Sequence, residues 1–207
     1  MSPLIYTCLA FIFIVIAFCF YIGMFRSISI KVSKPPFPVG GHYLYKFYQT
    51  PYAEARMAYR AINKFPIKKT FKLVGIYYDD PDKVKEDSTR YAVGILVNND
   101  DFDKNKELAS TMGSVGYQHI QLPQIDSVVT TCFPLRSVLS ILVAIQRVYP
   151  KLNNFIKKEK LQAHPCTEYY PHGMEEMHFI NPLEKNDSFY VPEYHVTYVE
   201  YIDSKED

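Results

Sequence analysis

The chain is poor in cysteine, and that scarcity bounds its chemistry first. Of four cysteines, Cys8 and Cys19 fall in an N-terminal apolar run, leaving only Cys132 and Cys166 for the remainder of the 207 residues. Two thiols do not make the disulfide framework of a small secreted domain. They read as small buried hydrophobes, with a bond between them conceivable only on the lumenal side of a membrane. Charge of one sign is lacking too. The formal net charge is +1, and no basic stretch alternates with aromatics along a face, which excludes the electrostatic footprint of a nucleic-acid binder. Also absent are a Walker loop, a glycine-rich dinucleotide fingerprint, a nucleophile elbow and a His-Glu-x-x-His motif. These gaps weaken an enzymatic reading, and none of the residues calls for a cofactor. There is no repeat of solenoid length and no low-complexity segment.

What is present begins with the stretch from Leu4 to Phe25, which carries no charge. Its length of about 22 residues suffices, at about 1.5 Å per residue, to cross a hydrocarbon core of about 30 Å. Tyr6 and Tyr21 are placed for the two interfaces. A cleaved signal peptide would need a basic start, a shorter apolar run and a small-x-small cleavage site, and none of these is found. Residues 1–26 are therefore expected to be a transmembrane signal-anchor. Arg26, Lys31 and Lys34 follow it directly, so the positive-inside rule puts the C-terminal side in the cytosol. Asn186-Asp187-Ser188 is a glycosylation acceptor that would report the opposite orientation.

Residues 27–41, with Pro35, Pro36, Pro38, Gly40 and Gly41, read as a semi-stiff spacer. Residues 42–192 then form one domain, and 193–207 a short acidic tail. Within the domain, His42 to Gln49 suits a strand, and Pro51 opens a helix to about Lys64. Thr70 to Tyr78 and Tyr91 to Val97 suit a pair of strands, followed by a short helix from Lys104 to Met112. The order returns with a strand from Ser127 to Phe133, a long helix from Leu135, and strands near Pro165 to Tyr170 and Met177 to Pro182. Leu135, Val138, Leu139, Leu142, Ile145, Val148 and Leu152 recur at helical spacing, with Pro150 set to kink or interrupt the helix. Two strand-helix-strand-strand modules predict an α+β fold, with both helices on one face of a largely antiparallel sheet and a ligand cleft between the halves.

Glu168, in Cys166-Thr167-Glu168-Tyr169-Tyr170, is the carboxylate that stands out. Strand alternation puts Cys166, Glu168 and Tyr170 on one face. Facing the cleft, Glu168 would be desolvated beside aromatic rings and suited to a cation, an amide or proton transfer. The alternative is an exposed strand carboxylate. Tyr77 and Tyr78 end a strand before Asp79-Asp80-Pro81 and offer broad contact surface, for core packing or for a ligand. His164, Cys166, His172 and His178 crowd one region without zinc spacing, so no metal is expected.

Ile76-Tyr77-Tyr78-Asp79-Asp80-Pro81, Tyr91-Ala92-Val93-Gly94 and Thr167-Glu168-Tyr169-Tyr170 resemble the GyrI-like domain, the two-module fold of bacterial small-molecule sensors. A further set of blocks is similar to the family's eukaryotic branch, endoplasmic-reticulum membrane proteins that act as reticulophagy receptors. These are Thr130-Thr131-Cys132-Phe133-Pro134, Arg147-Val148-Tyr149-Pro150, His178-Phe179-Ile180-Asn181-Pro182-Leu183 and Phe189-Tyr190-Val191-Pro192-Glu193. The resemblance implies an endoplasmic-reticulum-anchored, cytosol-facing adaptor that binds a protein or small ligand. Glu168, Tyr170, Tyr78 and Tyr77 are then the ligand-binding candidates, and no residue is assigned to catalysis. It also implies, as an alternative, a membrane-tethered hydrolase of small molecules using Glu168 with Tyr78 or Tyr170. The partners implied are the autophagy machinery and the valosin-containing ATPase, which the receptor reaches through a long acidic tail with an aromatic-x-x-aliphatic motif. This chain stops at Asp207: Tyr198 and Tyr201 lack the aliphatic partner residue, and Phe71-Lys72-Leu73-Val74, which fits, falls in a core strand.

Overall fold

The computed structural model describes residues 3–171 and 175–196; the tyrosines Tyr198 and Tyr201 and His172 lie outside them. Helix α1 (Pro3–Tyr21) is apolar all round, buries none of its residues, and is long and apolar enough to cross a membrane. The following residues are no free spacer. Lys31–Ser33 forms strand β1 along Val128 to Thr130, and Val39 is buried with Phe37 packed beside it. Apolar side chains between the prolines cover sheet surface that would otherwise face water.

The first module comprises β2 (Gly41–Gln49), α2 (Ala55–Ile62), β3 (Lys72–Tyr77) and β4 (Arg90–Val97). Pro51 leads into a single 3-10 turn, Tyr52–Glu54, before α2 begins. Next come α3 (Asn99–Phe102), α4 (Lys106–Ser114) and strand β5 (Gln118–Leu122). The second module is β6 (Val128–Pro134), α5 (Val138–Lys158), β7 (Cys166–Pro171) and β8 (Glu176–Pro182). Helix α5 begins three residues later than the apolar spacing suggests because Ser137 caps it, its hydroxyl accepting from the Ser140 N–H at 3.4 Å. Pro150 lies within the helix without ending it; the residue is exposed, so its ring meets solvent.

The eight strands of the described residues form one antiparallel sheet in the order β1-β6-β8-β7-β3-β4-β2-β5. The modules join at β3 and β7, where Gly75 pairs with Glu168. Residues of α2 pack with Leu44, Tyr91, Val93 and Ile95, and residues of α5 with Val129, Phe133, Met177 and Phe179. Register and alternation assign both sets to one face. The other face holds Tyr43, Tyr45, Val74, Ile76, Tyr169 and Ile180, closed over by Val39, Phe189 and Val191.

Candidate functional site

Glu168 lies at the seam between modules and is only 4% exposed. A buried carboxylate must find donors, and here tyrosines supply them. The Tyr149 hydroxyl, from α5, donates to Oε1 at 2.5 Å, and the Tyr170 hydroxyl, two residues along β7, donates to Oε2 at 2.7 Å. The Tyr77 hydroxyl, from β3, lies near the same carboxyl group and favours its charged form. Tyr59, from α2, stands 3.5 Å from the Tyr77 hydroxyl and edge-on to the Tyr170 ring. Opposite Glu168 the chain has glycine because Tyr59 occupies the space: a Cβ on Gly75 would overlap the Tyr59 hydroxyl.

Burial pushes the Glu168 carboxyl above its usual range, while the hydrogen bonds from Tyr149 and Tyr170 and the nearby Tyr77 hydroxyl pull against it. The hydroxyls of Tyr59, Tyr77, Tyr149 and Tyr170 are driven well above 10, by burial first and by the nearby Glu168 charge second. They stay protonated near neutral pH and act as donors. Tyr170 also forms one wall of a cavity of about 400 Å³ lined by Phe65, Ile67, Phe71, Leu73 and Leu135. An acid ringed by phenols next to an apolar recess is chemistry suited to an amide or a cation.

Of the residues singled out from sequence, Glu168, Tyr170 and Tyr77 meet here and Tyr78 does not. Alternation along the chain turns Tyr78 to the opposite face, where it stacks on Tyr190 with ring centroids 5.2 Å apart. That removes it as a partner for Glu168 in binding or in hydrolysis. Tyr59 and Tyr149 were missed, both being single tyrosines on helices whose sequence gives no sign of reaching a strand in the other part of the chain.

Cys166 shares the Glu168 face, and burial pushes its thiol up, which makes it inert. Among the described residues no three possible metal ligands cluster. His178 packs edge-on to Phe37 at 5.1 Å, on the face away from Cys166. Phe71 and Val74 are buried, so the Phe71-Lys72-Leu73-Val74 segment cannot be presented to a partner.

The class defined by this architecture is an α+β protein with an N-terminal apolar helix and two modules joined in one antiparallel sheet. No family model matches the sequence. Among solved structures, the EcmrR C-terminal domain superposes with a TM-score of 0.47 at 14% identity, over 76% of this chain and 98% of that one. An uncharacterized conserved protein from Listeria innocua gives 0.43 at 10% identity, over 76% of this chain and 92% of that one.

The particular relatives emerge from sequence. Homology extends to testis-expressed protein 264 of Homo sapiens, 32% identical over 178 residues, and to its Mus musculus homolog, 30% identical over 177. Each match covers 86% of this chain but only 55% and 56% of those proteins, so the chain spans about half the length of the curated relatives it matches.

Proposed function

We propose that the protein is a single-pass endoplasmic-reticulum membrane protein whose GyrI-like domain faces the cytosol as a binding module, an adaptor related to reticulophagy receptors. The observation that carries the binding role is the buried Glu168 carboxylate, held by Tyr149 and Tyr170 beside an apolar cavity. Turning of Tyr170, which the carboxylate and the cavity share, would open Glu168 to a cationic or amide group entering from the cavity. The apolar α1 and the homology to testis-expressed protein 264 support the membrane-anchored, adaptor part of the reading. Its proposed partners are those the resemblance implies, the autophagy machinery and the valosin-containing ATPase.

A second reading, a tethered hydrolase using Glu168 with Tyr170, draws on the raised carboxyl pKa next to a phenol. Glu168→Gln in the full chain separates the two. A binding module with this site changes its recovered partners or ligands, whereas a hydrolase loses turnover and keeps them. A variant that folds and changes neither would remove Glu168 from both readings.

A further inference from the structure

The first turns of α5 leave Val138, Leu139, Leu142 and Ile145 exposed by 70, 45, 52 and 47%. Ser140, Val143 and Ala144 point into the core. At about 100° per residue the four exposed side chains share one side of the helix. An apolar stripe of this kind on a protein surface marks a contact.

The chain that leaves α1 packs beneath the same helix. Ile22 is buried at 4% in the same cluster as Val143 and Ala144. Gly23, at φ +85°, passes so near Phe133 and Pro134 that a Cβ would meet them at 2.9 to 3.2 Å; no other residue fits such an approach without strain. Arg147 donates to the carbonyls of Gly23 at 2.9 Å and Arg26 at 3.0 Å. Arg136 reaches the Tyr21 carbonyl at 3.4 Å, with its guanidinium 5.3 Å from the Tyr21 ring. Arg147, on α5, and Arg136, just before its cap Ser137, thus both hold the chain where α1 ends.

We propose that this face of α5 is a second membrane contact, lying in the headgroup and upper acyl region of the bilayer that α1 crosses. The inference rests on α1 being a membrane span. Continuity with that span favours lipid over a second copy or another protein: a domain bolted to the last turn of the anchor cannot carry the stripe far from the surface. Exposed apolar side chains on the outer face of a helix, with the half-exposed Arg136 just before its first turn, are the composition of an interfacial helix.

The chain contains no tryptophan, so single tryptophans report depth. The full chain is reconstituted into phosphatidylcholine bilayers with and without bromine on the acyl chains, carrying Leu142→Trp, Leu139→Trp, Ile14→Trp in α1, or Val115→Trp, an exposed position just after α4. The expected result is a loss of emission for Leu142→Trp and Leu139→Trp approaching that of Ile14→Trp, with Val115→Trp unaffected. Emission at both α5 positions as insensitive as at Val115→Trp, with Ile14→Trp quenched, overturns the lipid contact and leaves the anchor standing. Failure of Ile14→Trp to be quenched sinks both.

Discussion

Glu168 is an acid held in a place that disfavours its charge. Its carboxyl pKa is raised in the folded protein, so the folded state binds the proton more tightly than the unfolded chain does. The resulting stabilisation is complete below the unfolded value near 4.5 and is lost as pH rises through the higher folded value. Glu168→Gln should therefore flatten the decline in stability with rising pH across that window, read by denaturant unfolding at a series of pH values; an unchanged profile would show that Glu168 is not the titrating group. Tyr149→Phe leaves Oε1 without its 2.5 Å donor and should cost about 1.5–3 kcal/mol, the range for a hydrogen bond to a charged group. Gly75→Ala drives a methyl into the Tyr59 hydroxyl, with an expected loss of about 1–3 kcal/mol from overpacking. Calorimetry of the two variants checks both values. At this scale the sequence was partly legible. Period-two alternation is rigid enough to put Glu168 and Tyr170 on one face, and the same rule, applied across the end of β3, sends Tyr78 the other way. Tyr59 and Tyr149 come from helices, whose docking angle no local pattern encodes.

At the scale of elements, the most exacting contact lies where β3 ends and β4 begins. The Asp79 carboxylate accepts from the Arg90 backbone N–H at 2.7 Å and from its guanidinium at 2.9 and 2.5 Å, with side chains 11% and 4% exposed for Arg90 and Asp79. The Tyr52 hydroxyl donates to the Asp79 carbonyl at 2.9 Å, tying the turn before α2 to the same corner. Asp79→Ala is expected to destabilise by about 3–5 kcal/mol, as removing one member of a buried pair does; a loss below about 1 kcal/mol would mean that the pair behaves as a surface bridge. Sequence reading took Asp79 for turn chemistry only, since its partner lies across a loop. Strands β1 and β5 were missed for related reasons. The first has three residues, and Gln118-His119-Ile120-Gln121-Leu122 is a mostly exposed, polar edge strand, so pairing with β6 and β2 creates them where periodicity is silent. The long helix was plain from spacing, yet spacing alone did not distinguish Val143, Ala144 and Val148, which enter the core, from Val138, Leu139 and Leu142, which stay outside.

For the whole molecule, α1 and the domain are joined through Ile22 and Gly23, which pack under α5. Arg147→Ala removes the two hydrogen bonds to that joint. The expected outcome is faster tryptic cleavage after Arg26 in the bilayer-bound protein, by roughly tenfold if about 1.4 kcal/mol of local stability is lost; an unchanged rate would mean that the joint is held by Gly23 packing alone. The two-module order and the apolar helix were legible because each depends on local periodicity and length, whereas the joint depends on contacts between residues more than a hundred positions apart. The cytosolic orientation underlies the adaptor reading and is open to a direct check. Asn186 already donates its side-chain amide to the Gln162 carbonyl at 2.9 Å, which a glycan on that nitrogen would disturb. The measurement is protease protection of the full chain in intact endoplasmic-reticulum microsomes, with endoglycosidase treatment and Asn186→Gln as control. The account predicts a domain digested from outside and a chain whose size neither treatment nor substitution alters; a protected domain bearing a glycan that Asn186→Gln removes would contradict it.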